Sequence, residues 1–177
     1  MSKRDELAEQ ATDYALEHGL IGLSLRPLAA AMGTSDRMLI YHFGSKDALI
    51  AAVLEGSCNR SVRTIRELPP SSSVRQAVLD LWEAYEQPKL QRCQRLYVEA
   101  AALGLFGREP YAGSVRASND VWLAEVVGHL ERSGAGRRAG SLAVLIDAAF
   151  NGLLLDQPLD EDRESRVIVE DLADAVA

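Results

Sequence analysis

The chain has 177 residues, 47% hydrophobic and 6% aromatic, with a formal net charge of −7. That length suffices for one or two small domains with a real core, while the acidic balance does not advertise nucleic-acid binding. No strict apolar/polar alternation predicts strands, and the opening Met-Ser-Lys-Arg-Asp-Glu predicts no secretion signal.

The first predicted helix runs from Lys3 to His18, with Leu7, Ala11, Tyr14 and Ala15 on one face and Gly19 as its stop. Ser24 is an N-cap by residue type, and Pro27 falls in the first turn of the helix it opens, where a missing N–H costs nothing. Leu25, Leu28, Ala29 and Met32 give that helix an apolar face, and Gly33 ends it. Ser35 caps the next helix and Asp36 sits in its first turn. Met38, Leu39 and Phe43 are expected inward; Arg37, Tyr41 and His42 are left to face out. Gly44 stops this helix, and Ser45 caps a fourth that continues to Arg66. Two short helices over a tight turn, with a third following at once, is the geometry that sets one helix in the DNA major groove. The outward set Ser24, Arg26, Thr34, Ser35, Arg37, Tyr41, His42 and Lys46 is rich in groups that donate to phosphate.

Charge complicates this reading. The first 56 residues hold five Lys/Arg against eight Asp/Glu, but five of those acids precede Gly19. Between Leu20 and Lys46 three cations face one carboxylate. A small local patch binds a duplex when a dimer doubles it, with a modest salt dependence.

Glu67 to Ser73 is the clearest linker. A fifth helix follows, with Val74, Val78, Leu81, Trp82 and Tyr85 in register. The sixth carries Cys93, Leu96, Tyr97, Ala100 and Leu103, and the seventh, from Gly113 to Arg132, carries Val115, Trp122, Val126 and Leu130. Ser133 to Gly140 is a Gly-rich turn. The eighth helix, Ser141 to Asp156, is apolar on more than one face, with Leu142, Leu145, Ile146, Ala149 and Leu153 in one stripe and Ala143, Phe150, Leu154 and Leu155 extending it. A helix apolar most of the way round is buried on both sides, in a chain this small most simply by a second subunit. Its longest run, Leu142 to Leu155, is interrupted by Asp147 and Asn151 and falls short of a bilayer. An acidic loop follows Pro158, and a short last helix holds Val167, Ile168 and Leu172.

Little else carries chemistry. His18 and His129 read as surface or helix-end histidines, and Arg60, Arg63 and Arg66 as a solvated face. The three His and two Cys lack metal-site spacing. Cys58 and Cys93 fit a reducing cytoplasm, and either would need a lowered pKa to sense redox state. Gly134-Ala-Gly136-Arg-Arg-Ala139 follows a helix rather than a strand, so it is a turn and not a dinucleotide site. No enzyme motif or cofactor is expected.

The string Leu23-Ser24-Leu25-Arg26-Pro27-Leu28-Ala29, then Met32-Gly33-Thr34-Ser35, Leu39-Ile40-Tyr41-His42-Phe43 and Ser45-Lys46-Asp47-Ala48-Leu49 resembles the TetR family of transcriptional regulators, from Leu7 to Val53 without a gap. Ile40 departs from it, standing where the family usually has an aromatic that touches the DNA backbone. The resemblance implies an all-α fold of about nine helices. A three-helix DNA-binding domain would occupy residues 1–50, and a helical effector-binding and dimerisation domain residues 51–177. It implies a cytoplasmic homodimer on a palindromic double-stranded operator, paired through the last two helices. It also implies a small apolar or aromatic effector held by helices five to eight, with Trp82, Tyr85, Tyr97, Glu99, Phe106, Trp122, Phe150 and Asn151 as candidate lining. Asp147 and Asn151, one turn apart, stand as polar handles or as solvated or interfacial residues. A repressor is the first expectation. The alternative is a sensor or carrier with a degenerate DNA-binding head.

Overall fold

The computed structural model describes residues 2–156 and 164–177, and the regular structure among them is entirely helical. Helices α1 (Lys3–His18), α2 (Leu25–Ala31), α3 (Asp36–Phe43) and α4 (Lys46–Arg66) are followed by α5 (Val74–Tyr85), α6 (Pro88–Leu105) and α7 (Tyr111–Arg132). A 3-10 turn at Gly136–Arg138 leads into α8 (Ala139–Asp156), and α9 (Ser165–Val176) closes the order.

The caps explain the boundaries. Ser2 and Asp5 form a reciprocal capping box at α1. Ser35 Oγ accepts from Met38 N–H at α3, and Ser73 Oγ from Gln76 N–H at α5. The α2 stop is a Schellman arrangement: Thr34 N–H donates to Ala29 O at 2.9 Å and Gly33 N–H to Ala30 O at 3.2 Å, with Gly33 at φ 64°. Ser24 holds the N-cap position of α2 by backbone geometry, but its hydroxyl makes no cap hydrogen bond, contrary to the sequence expectation.

The residues form two compact units. The first takes the chain up to Ser61 together with Pro88–Asp120, and its core gathers Leu7, Ala11, Leu28, Leu39, Leu49 and Val53 with Leu96 and Ala100 of α6. The division expected at residue 50 therefore differs from the structure on two counts. That residue lies inside α4, and α6 belongs with the head because its apolar face is buried there. Glu99 adds a polar tie: its carboxylate accepts from Leu20 N–H at 2.7 Å and Ile21 N–H at 2.9 Å, holding the turn between α1 and α2. α1 also lies close on α4, where Gly56 leaves room for Thr12 Oγ1.

The second unit takes the described residues of Val62–Gln87 and Val121–Ala177. α9 packs along α5 through Val169, Ala173 and Val176, with Arg75 Nε donating to Asp174 at 2.5 Å, and Arg138 donates to the carbonyl of Val176. Of the apolar residues named from sequence in this helix, Val167 and Ile168 are exposed. α8 buries Leu142, Ile146, Phe150 and Leu153, while Val144, Leu145 and Leu155 stand bare. Extended through the 3-10 turn, the apolar segment Gly136–Asp156 has 21 residues, long enough by length and composition to cross a membrane, which corrects the shorter estimate. Its buried face nonetheless belongs to a helical core. The acidic loop expected after Pro158 lies largely outside the described residues.

Two further expectations change. His129 is fully buried rather than superficial; its Nε2 lies 3.3 Å from Ser71 Oγ, which donates to Asp80 at 2.5 Å. Arg60 is not simply solvated, because it pairs with Glu9 and Asp13 at 2.6 Å each. Arg66 pairs with Glu125.

Candidate functional site

α3 presents one face to solvent. Successive residues of a helix turn by about 100°. With Leu39 and Phe43 buried, Tyr41 points away from the core and is 77% exposed, with Arg37 beside it. Ile40 and His42 flank the buried row, Ile40 exposed and His42 half-buried. Met38 was expected inward but is 42% exposed, because it sits roughly 120° from the centre of the buried row. The signal was available: Leu39 and Phe43, four apart, fix the inward direction without it.

Around this face lie Ser24, Arg26 and Ser35, all exposed, and Thr34, half buried. Ser35 accepts from the backbone and keeps its own O–H to donate. The Ser24 hydroxyl is free of a cap bond. Lys46 is exposed and donates one N–H to Leu23 O at 2.5 Å, which anchors the ammonium and leaves two donors. The Tyr41 and His42 rings meet edge to face at 5.1 Å. Seven of the eight residues expected at a DNA surface thus sit on α2, its N-cap, the turn and α3, and the eighth, Lys46, opens α4. Its acidic neighbour is partly neutralised, since Arg60 engages Glu9 and Asp13 of α1.

The second unit contains an aromatic cluster. Phe150 stands edge-on to Trp82 at 4.9 Å and to Tyr85 at 5.0 Å, and Tyr85 meets Trp122 at 5.5 Å. Asp147 lies against it and accepts from Trp122 Nε1 at 2.9 Å, Asn151 Nδ2 at 3.0 Å and Tyr85 OH at 3.4 Å. Burial pushes its carboxyl above the ordinary carboxylate range, opposed by these three hydrogen bonds. Tyr85, Trp122, Asp147 and Phe150, with Leu81, Val126 and Ile146, line a cleft with about 180 Å³ of atom-free space, into which no water-sized sphere fits; Trp82 and Asn151 lie outside that lining.

The structure therefore brings Trp82, Tyr85, Trp122, Phe150 and Asn151 together. Tyr97 and Phe106 belong to the first unit; Phe106 is 83% exposed after α6. Glu99 caps the head turn instead of facing an effector. Burial raises the Cys58 thiol, against the lowered value a redox sensor needs.

Residues 7–53 match the family model described as "Bacterial regulatory proteins, tetR family". The HTH-type transcriptional repressor NicS of Pseudomonas putida is 29% identical over 87 residues, covering 46% of this chain and 41% of that protein. The chain spans about two fifths of the length of the curated relatives it matches. A TetR-family regulator from Rhodococcus sp. shares the fold at a TM-score of 0.78 and 20% identity, over 98% of this chain and 97% of that one. The multidrug binding protein EbrR, complexed with proflavin, does so at 0.74 and 20% identity, over 99% of this chain and 100% of that one. The helix-turn-helix segment thus matches the tetR family model, and the helical architecture is shared, through the second unit, with solved structures of TetR-family regulators.

Proposed function

We propose that the chain is a cytoplasmic transcriptional regulator, a repressor that binds a palindromic operator as a homodimer and leaves it when a small molecule enters the second unit. The observation that carries this reading is the solvent face of α3, with Arg37 and Tyr41 outward and Ser24, Arg26, Ser35 and Lys46 around them, inside the segment that matches the family model. One such helix reads only a few base pairs. Two copies related by a two-fold axis read half-sites about 34–36 Å apart. The uncovered apolar residues Val144, Leu145, Leu155, Val167 and Ile168 support pairing through α8 and α9. The aromatic cluster supports a small-molecule site, as does the fold shared with a protein that binds proflavin.

Ile40, exposed on the DNA-facing side where the family usually carries an aromatic, favours a second reading, a sensor or carrier whose head has lost DNA affinity. Selection from a random duplex library at low and physiological salt separates the two, run in parallel with Tyr41→Ala. An enriched palindrome that weakens in Tyr41→Ala supports the regulator. Absence of enrichment at both salts, for protein refolded free of small molecules, would overturn it in favour of the sensor. Within an enriched site, Arg37→Ala is expected to relax one base position per half-site, whereas Lys46→Ala weakens all sequences alike.

A further inference from the structure

Asp147 is the one acid of the aromatic cluster, and among the described residues no Lys, Arg or His lies within 4.0 Å of its carboxylate. Its three donors, Trp122, Asn151 and Tyr85, are all neutral. A carboxylate has about four acceptor positions, so one remains open beside the rings. Burying an anion without a cation costs stability, and a core with no other task would place an amide or an apolar residue there. Nearby, Trp82, Tyr85, Trp122 and Phe150 supply π faces, the surface on which a desolvated ammonium gains most. Trp82 Nε1 and Asn151 Oδ1 are buried without a hydrogen-bond partner, which leaves further polar capacity within the same cluster.

We propose that the effector of this site is an organic monocation, an aryl- or alkylammonium whose charge meets Asp147 and whose apolar groups displace the ring-on-ring packing. The inference rests on the effector reading above and specifies its chemistry. A neutral hydrocarbon gains nothing from a buried carboxylate and leaves it without a countercharge, so Asp147 selects against such ligands as well as for cations. The cleft beside Asp147 admits no water-sized sphere, so entry requires its lining to part.

The chain contains two tryptophans, and both belong to this cluster, so selectively excited tryptophan emission reports on the site. Phenyltrimethylammonium and tert-butylbenzene share shape and differ in charge. We expect the cation to change tryptophan emission and to bind at least about tenfold more tightly than the hydrocarbon. Asp147→Asn should reduce that preference to near parity, and Asp147→Glu should keep it. Circular dichroism melts are expected to place Asp147→Asn at or above the wild type, because a residue kept for binding costs stability when empty. A Phe150→Ala background provides room should the wild-type rings close too firmly. Equal binding of the two probes, or tighter binding of the hydrocarbon, would overturn the cation site while leaving an effector pocket in place. No response to either probe in either background would overturn both. Should Asp147→Asn fail to fold, the wild-type ratio of the two probes still decides.

Discussion

Removal of the Glu99 carboxylate tests how the head is held together. Glu99, on α6, caps two backbone N–H groups of the α1–α2 turn, at 2.7 Å and 2.9 Å. Leu20 is buried, so its N–H loses its partner without gaining water, whereas exposed Ile21 can turn to solvent. A hydrogen bond to a charged group contributes about 1.5–3 kcal/mol net, so Glu99→Ala is expected to cost about 2–3 kcal/mol, most of it at Leu20. For a chain of this size that is a fall in Tm of about 4–12 °C by scanning calorimetry. Glu99→Gln keeps one acceptor oxygen and should lose about half as much. Gly19 supplies an internal check. Its φ is +80°, and a Cβ there would lie 2.7 Å from Glu99 Oε1. Gly19→Ala therefore carries a backbone cost of about 1–2 kcal/mol and also dislodges the cap. In the Glu99→Ala background only the backbone cost should remain, so the two substitutions couple by about 2 kcal/mol. Strict additivity, or a Glu99→Ala melt within about 1 °C of wild type, would refute the capping role.

Three further outcomes are expected. Gly56→Ala places a methyl 2.6 Å from Thr12 Oγ1 and should destabilise by about 1–3 kcal/mol in denaturant unfolding, with Thr12→Ala in the same chain recovering most of the loss. Burial, then Arg132, holds the His129 imidazole below its ordinary 6.5, so its stabilising contribution is complete above that pH and is lost as pH falls, the unfolded chain taking the proton first. Unfolding free energy should therefore decline from pH 7.5 to 5.5 and decline less in His129→Asn. Leu145→Asp, on the bare face of α8, should give monomers by light scattering; a persisting dimer would move the interface elsewhere.

What the sequence disclosed divides by range. Helix ends were legible because their causes are local: Ser35 and Ser45 reach only three residues ahead, and the Gly33 turn closes over five. The outward position of Arg37 and Tyr41 follows from the same short arithmetic. Glu99 was misplaced because its partners are 78 and 79 residues away. Nothing near Glu99 in the chain announces that a carboxylate on the sixth helix is needed at the first turn. Arg60 with Glu9 and Asp13, and His129 beside Ser71, repeat the lesson: polar pairing across elements leaves no periodic trace. The aromatic cluster was half legible. The family resemblance gathered Trp82, Tyr85, Trp122 and Phe150, but only the fold separates them from Phe106 and shows Asp147 paired, among the described residues, to neutral donors.

A chain that leaves Val144, Leu145, Leu155, Val167 and Ile168 uncovered on α8 and α9 answers to its own abundance. When a second copy covers them and only the pair grips DNA, the active species grows with the square of the free protomer at low concentration. Halving synthesis then cuts it about fourfold. On the proposed function, the dose of protein would be a control knob beside the effector, able to move the response threshold without altering any residue at the DNA face or in the cleft.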